Sequence, residues 1–111
     1  MFASMHVFVA LADQTRREIV EALATREQAV GDLVAQFGLS QPSISRHLRV
    51  LREAGLVRVR ADGQRRVYRV DARGLGAIET WLDTHRRRIA KQLDALERYL
   101  DADEKPKRRP R

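Results

Sequence analysis

Residues 40–70 read SQPSISRHLRVLREAGLVRVRADGQRRVYRV, and the reading of this stretch decides the fold. Ser40 is placed to cap a helix, with Pro42 in its first turn, where a missing N–H costs nothing. Advancing ~100° per residue from Ile44 brings Leu48 and Leu51 within about 40° of it, a stripe that predicts burial. The opposite face carries Ser45, Arg46 and Arg49, and Gln41 and Ser43 project from the helix's leading end. Gly55 stops the helix, and Leu56 is placed to close a Schellman-type contact. Residues 57–70 then predict a β-hairpin. Val57 and Val59 alternate with Arg58 and Arg60, Asp62-Gly63 supplies the turn, and Val67, Tyr68 and Val70 lie on the return strand. Val67 and Tyr68 point opposite ways, so the facing of that strand stays open.

Upstream, Phe2 to Leu11 reads as a short apolar helix. Asp13 is a plausible N-cap for a second helix in LADQTRREIVEAL (11–23), where Leu11, Ile19, Val20 and Leu23 recur at helical spacing. A third helix runs roughly from Val30 to Phe37 and ends at Gly38, which can take positive φ without steric strain. Downstream, a long helix is expected from about 72 to 101. Leu75, Ile78, Leu82, Ile89, Leu93, Leu96 and Leu100 recur along it at threes and fours. The polar, proline-containing stretch 102–111 predicts a basic disordered tail.

With 111 residues the chain has room for one core, so 1–101 is expected to form a single domain. No apolar run approaches the ~20 residues needed to span a bilayer. The N-terminus has no basic region before its apolar stretch, which argues against a signal peptide and makes the cytoplasm the default. There is no cysteine, which excludes disulfides and thiolate metal sites. The net charge of +7 is unevenly placed: residues 41–70 carry +6 and residues 105–111 carry +5, whereas 1–40 and 71–104 are each −2. A concentrated positive patch suits a phosphate backbone, because each neutralised phosphate releases condensed counterions. Arginine outnumbers lysine 19 to 3, and coding bias would explain that choice but not its placement.

Helix, glycine-containing turn, helix and arginine-rich hairpin make the winged helix-turn-helix plan. Short polar side chains at the second helix's N-terminus can meet base edges in the major groove, and hairpin arginines can fix the register on phosphates. The segments LADQTRREIVEAL, SQPSISRHLRVLREAGLV and GQRRVYRV resemble the ArsR/SmtB family of small bacterial repressors, over about residues 9 to 100. The resemblance implies a mainly α fold with a β-hairpin wing, dimerised through the first and last helices, that represses operons until an inducer releases it. Its base-reading positions fall on Gln41, Ser43, Ser45 and Arg46. Arg49, Arg60, Arg65 and Arg66 are expected at phosphates, although charged hairpin tips are common and any one could be idle. His47 lies about 60° from the buried stripe, which places a boundary role with a local hydrogen bond ahead of a base contact. The dimer interface is expected at Phe2, Met5, Val9, Leu82, Ile89, Leu93, Leu96 and Leu100.

Many relatives in that family sense metals. The stretch matching one family site, EQAVGDL (27–33), offers no thiolate. Asp83-Thr84-His85 reproduces half of a second site, but the partner ligands would fall at Leu96 and Tyr99. Leucine cannot ligate, and phenolate is a poor choice for zinc-like ions. No metal and no cofactor is therefore expected. Three other readings stay open: a winged-helix module for protein–protein contact, a metal sensor with a non-standard site, and a MarR-type repressor, which generally has more flanking helix. An enzyme is disfavoured, since no catalytic triad, phosphate loop or paired carboxylate can be assembled.

Overall fold

A computed structural model describes the backbone from Phe2 to Arg108 and the side chains of residues 6–102. The elements are α1 (Phe2–Leu11), α2 (Gln14–Thr25), β1 (Gln28–Ala29), α3 (Val30–Phe37), α4 (Gln41–Glu53), β2 (Val57–Asp62), β3 (Arg65–Val70) and α5 (Ala72–Arg108). Mainly helical with a small antiparallel sheet, this is the winged helix expected from the sequence. The chain divides into two compact units, 1–79 and 80–111.

In the first unit several helix ends are fixed by identifiable local chemistry. Asp13 caps α2 by accepting from the Arg16 N–H at 3.0 Å. Two arginines of the next turn close the α1–α2 corner by satisfying carbonyls that the end of α1 leaves unpaired. Arg16 Nε donates to Ala10 O at 2.7 Å, and Arg17 Nη1 donates to Leu11 O at 2.8 Å. Gly38 ends α3 in the left-handed region (φ 68°), and its N–H returns to Val34 O.

The core gathers Val7, Ile19, Leu23, Leu33, Ile44, Leu48, Leu51, Leu56, Val57 and Tyr68. Burying a side chain of this size is worth roughly 1.5–3 kcal/mol, so α4 is held mainly by the stripe Ile44, Leu48 and Leu51.

The sheet departs from the expected hairpin in two ways. It has three strands, in the order β1-β3-β2, because Gln28 pairs with Tyr68 and Ala29 with Val67. With β3 in the centre, Val67 and Tyr68 are both buried although they face opposite ways. The turn is also one residue later than expected. Asp62 pairs with Arg65, leaving Gly63-Gln64 as the two-residue loop. Gly63 alone has positive φ there (63°), as a Gly-X type II′ turn requires.

The second unit is helical. Helical backbone continues to Arg108, past the expected end at Asp101. Residues 102–105 contain no helix breaker, and propagation adds one hydrogen bond per residue. Residues 109–111 lie outside the described residues, as do the side chains of Phe2 and Met5. On this unit Leu82, Ile89, Leu93, Leu96 and Leu100 are all exposed. Among the described residues no helix is long and apolar enough to cross a membrane.

Candidate nucleic-acid interface

The leading end of α4 is built by its cap. Ser40 Oγ accepts from the Ser43 N–H at 3.3 Å, and the Ile44 N–H donates to Ser40 O at 3.0 Å. With the stripe of Ile44, Leu48 and Leu51 fully buried, the helix can rotate neither face away. Gln41, Ser45, Arg46 and Arg49 are exposed in consequence, and Ser43 is half-buried under the cap. None of the side chains of Gln41, Ser45, Arg46 and Arg49 is bonded to another described residue. Unpaired donors on a rigid helix suit base edges and phosphates, because no internal bond has to break first.

The far end of α4 is a complete Schellman motif. Gly55 (φ 76°) donates to Arg52 O at 3.0 Å, and the Leu56 N–H reaches back to Leu51 O at 2.9 Å, with both leucines fully buried. That motif launches β2, and so fixes where the wing stands relative to α4.

His47 is half-buried at the expected boundary, and Arg16 Nη1 lies 3.4 Å from its Nδ1, a contact from α2 and not the local bond expected. The same guanidinium holds Ala10 O and Val9 O, so Arg16 ties the α1–α2 corner to α4.

The wing arginines are not equivalent. Arg60 Nη2 donates to Glu27 Oε1 at 2.8 Å, and Arg65 Nη2 donates to Asp32 Oδ2 at 3.0 Å. The paired Arg60 holds the Glu27 carboxyl below the usual carboxylate range. Arg66 is exposed and forms no bond with any described residue. Gln41, Asp32, Gln64, Arg65 and Arg66 line one open groove of about 640 Å³, which brings the start of α4 and the tip of the wing to a common surface.

Two arrangements escaped the reading of the sequence. Asp71 is buried in front of α5, where Oδ1 accepts from the Arg73 N–H at 2.9 Å and Oδ2 from the Arg73 guanidinium at 2.8 Å. The Asp-x-Arg spacing was the signal. The Glu27 and Asp32 pairs cross 33 residues and carried no local signal.

On the metal question, Asp83 Oδ1 lies 3.3 Å from Arg86 Nη2, and Arg88 Nη2 lies 3.0 Å from His85 Nδ1. Both halves of the Asp-x-His pair thus face arginines. Among the described residues no three of His, Cys, Asp or Glu gather closely enough to hold a metal ion.

Residues 13–59 match the family model described as bacterial regulatory protein, arsR family. The HTH-type transcriptional regulator Rv2034 of Mycobacterium tuberculosis is 53% identical over 74 residues, covering 67% of this chain and 69% of that protein. The transcriptional repressor SdpR of Bacillus subtilis is 34% identical over 77 residues, covering 69% of this chain and 86% of its own. Among solved structures, the homodimeric winged helix-turn-helix DNA-binding domain of Mb0332 from Mycobacterium bovis superposes with a TM-score of 0.62 at 31% identity. That match covers 75% of this chain and 81% of the other. The fold, the exposed leading end of α4 and these relatives agree: the chain belongs to the ArsR family of bacterial regulatory proteins.

Proposed function

We propose that the chain is a homodimeric, DNA-binding transcriptional repressor that reads a palindromic operator with α4 in the major groove. The observation that carries this reading is the leading end of α4, where Gln41, Ser45 and Arg46 stand exposed on a helix locked by a fully buried stripe. In this reading Gln41, Ser43, Ser45 and Arg46 meet base edges, since glutamine can pair bidentately with adenine and arginine with guanine. Arg49 and Arg66, both unpaired among the described residues, take phosphates and carry no sequence information themselves. Residues 1–101 supply DNA binding and dimerisation, with Val9, Leu82, Ile89, Leu93, Leu96 and Leu100 at the two-fold contact. A non-enzymatic, cytoplasmic protein without a resident metal follows from the same reading.

The test is footprinting of purified protein on the DNA upstream of its own coding sequence, with and without chelator. A protected imperfect palindrome, with half-sites about one helical turn apart or a multiple of that, is the expected result. Protection spread evenly over unrelated DNA would remove sequence-specific repression as the function.

A further inference from the structure

The groove between the start of α4 and the wing contains a negative charge where a phosphate-binding surface should have none. Asp32 lines it together with Gln41, Gln64, Arg65 and Arg66. Its carboxylate is anchored at the start of α3, because Oδ2 also accepts from the Ala29 N–H at 3.0 Å. The same oxygen receives Arg65 Nη2 at 3.0 Å. If Arg65 left for a phosphate, Asp32 would remain in the groove as an uncompensated charge facing that phosphate, and like charges in contact repel.

We infer that Arg65 is a neutralising partner of Asp32 and not a phosphate ligand, and that the wing tip engages the DNA backbone through Arg66. The assignment rests on the DNA-binding reading above, and it departs from the expectation that all three wing arginines meet phosphates. Arg60, on the hairpin's other strand, is held in the same manner by Glu27, so one carboxylate before β1 and one on α3 fasten the two strands of the wing. Both pairs are partly exposed, so each fastens without being permanent. Asp32 thereby becomes a brake on affinity: it takes one arginine out of the set that can release counterions.

The experiment is the salt dependence of binding to a random-sequence DNA duplex for the unmutated chain, Asp32→Asn, Arg65→Ala, Arg66→Ala and the double variant Asp32→Asn/Arg65→Ala. Asparagine can still accept from the Ala29 N–H, so the start of α3 is preserved. Each phosphate contact contributes about 0.9 to the slope of log K against log salt. Asp32→Asn frees Arg65 and should steepen the slope by about one unit, with tighter binding. The double variant should return to the unmutated slope, and Arg66→Ala should flatten it by about one unit. An unchanged slope in Asp32→Asn, with the double variant about one unit flatter than the unmutated chain, would make Arg65 a direct phosphate ligand and overturn the assignment. A flat slope for the unmutated chain is a different result, and would count against DNA binding itself.

Discussion

Gly74 approaches Gly55 closely enough that only glycine fits. The Gly74 N–H donates to Gly55 O at 2.8 Å, and a Cβ built on Gly74 would stand 2.6 Å from that oxygen and 2.8 Å from Leu56 Cδ2. The neighbouring bond from the Asp71 N–H to Leu56 O, also 2.8 Å, fastens the start of α5 to the same corner. Because Gly55 and Leu56 form the Schellman end of α4, this approach couples the start of α5 to the helix that would read DNA.

Gly74→Ala should therefore destabilise the protein by roughly 1–3 kcal/mol, the range for forcing a methyl into a filled site. Gly76, two residues along the same helix, is the control. Among the described residues nothing lies within 4 Å of its Cβ position, so Gly76→Ala should stabilise by about 0.5–1 kcal/mol through helix propensity alone. Urea unfolding of both variants checks the pair. A stable Gly74→Ala would mean the corner opens at little cost.

Asp71 makes stability depend on pH with a definite sign. The side-chain hydrogen bond from Arg73, then the bond from the Arg73 N–H, hold its carboxyl below the usual carboxylate range. A depressed folded value means the folded state binds its proton less readily than the unfolded chain does. The contribution is complete above the unfolded value of ~3.9 and is lost as the pH falls through the lower folded value. Asp71→Ala should cost about 0.5–2 kcal/mol near neutral pH, as for a lost N-cap. The gap from the unmutated chain should close on acidification. A gap that stayed constant from neutral to acid conditions would show that the carboxylate's charge is not what matters.

The contrast between α4 and β1 shows what the sequence could reveal. The boundaries of α4 were legible because Ser40, Pro42, Gly55 and the stripe Ile44, Leu48 and Leu51 are all local signals with one common answer. Strand β1 is two residues long, too short for any period, and exists only because Tyr68 and Val67 are presented to it. The same limit hid the wing's fastening. Arg60 and Arg65 looked like free cations, since nothing near them in sequence shows that Glu27 and Asp32 come into reach. Spacing along α5 puts Ile78 in one series with Leu82 and Leu93, yet Ile78 packs against the core because the first turns of α5 belong to the first unit.

Arg46 separates base reading from phosphate binding. It is exposed, unpaired among the described residues and one turn into α4. Arg46→Ala should cost ~1–3 kcal/mol per half-site if the guanidinium pairs with guanine, and should relax base preference at that position. Binding titrations on the footprinted operator and on random duplex decide the matter. Equal weakening on both would reassign Arg46 to the phosphates.

Assembly is the remaining test, and the second unit supplies its argument. Leu82, Ile89, Leu93, Leu96 and Leu100 are all exposed, and Leu93 is 60% so. At ~100° per residue they fall within about 40° of one line along the helix. A helix with such a stripe gains little from propensity alone in water, and most helical stability in proteins comes from packing an apolar face. Contiguous exposed apolar surface usually marks an interface, and a two-fold dimer is the commonest way to close one. A palindromic operator requires two copies of α4, which a dimer supplies. Leu93→Glu places a charge at the centre of the stripe and should yield a monomer by light scattering. Specific operator binding should then fall far more than binding to random DNA, because a monomer keeps its phosphate contacts but reads only one half-site. An unmutated chain that scattered as a 12.8 kDa monomer while holding its operator tightly would end the dimer reading.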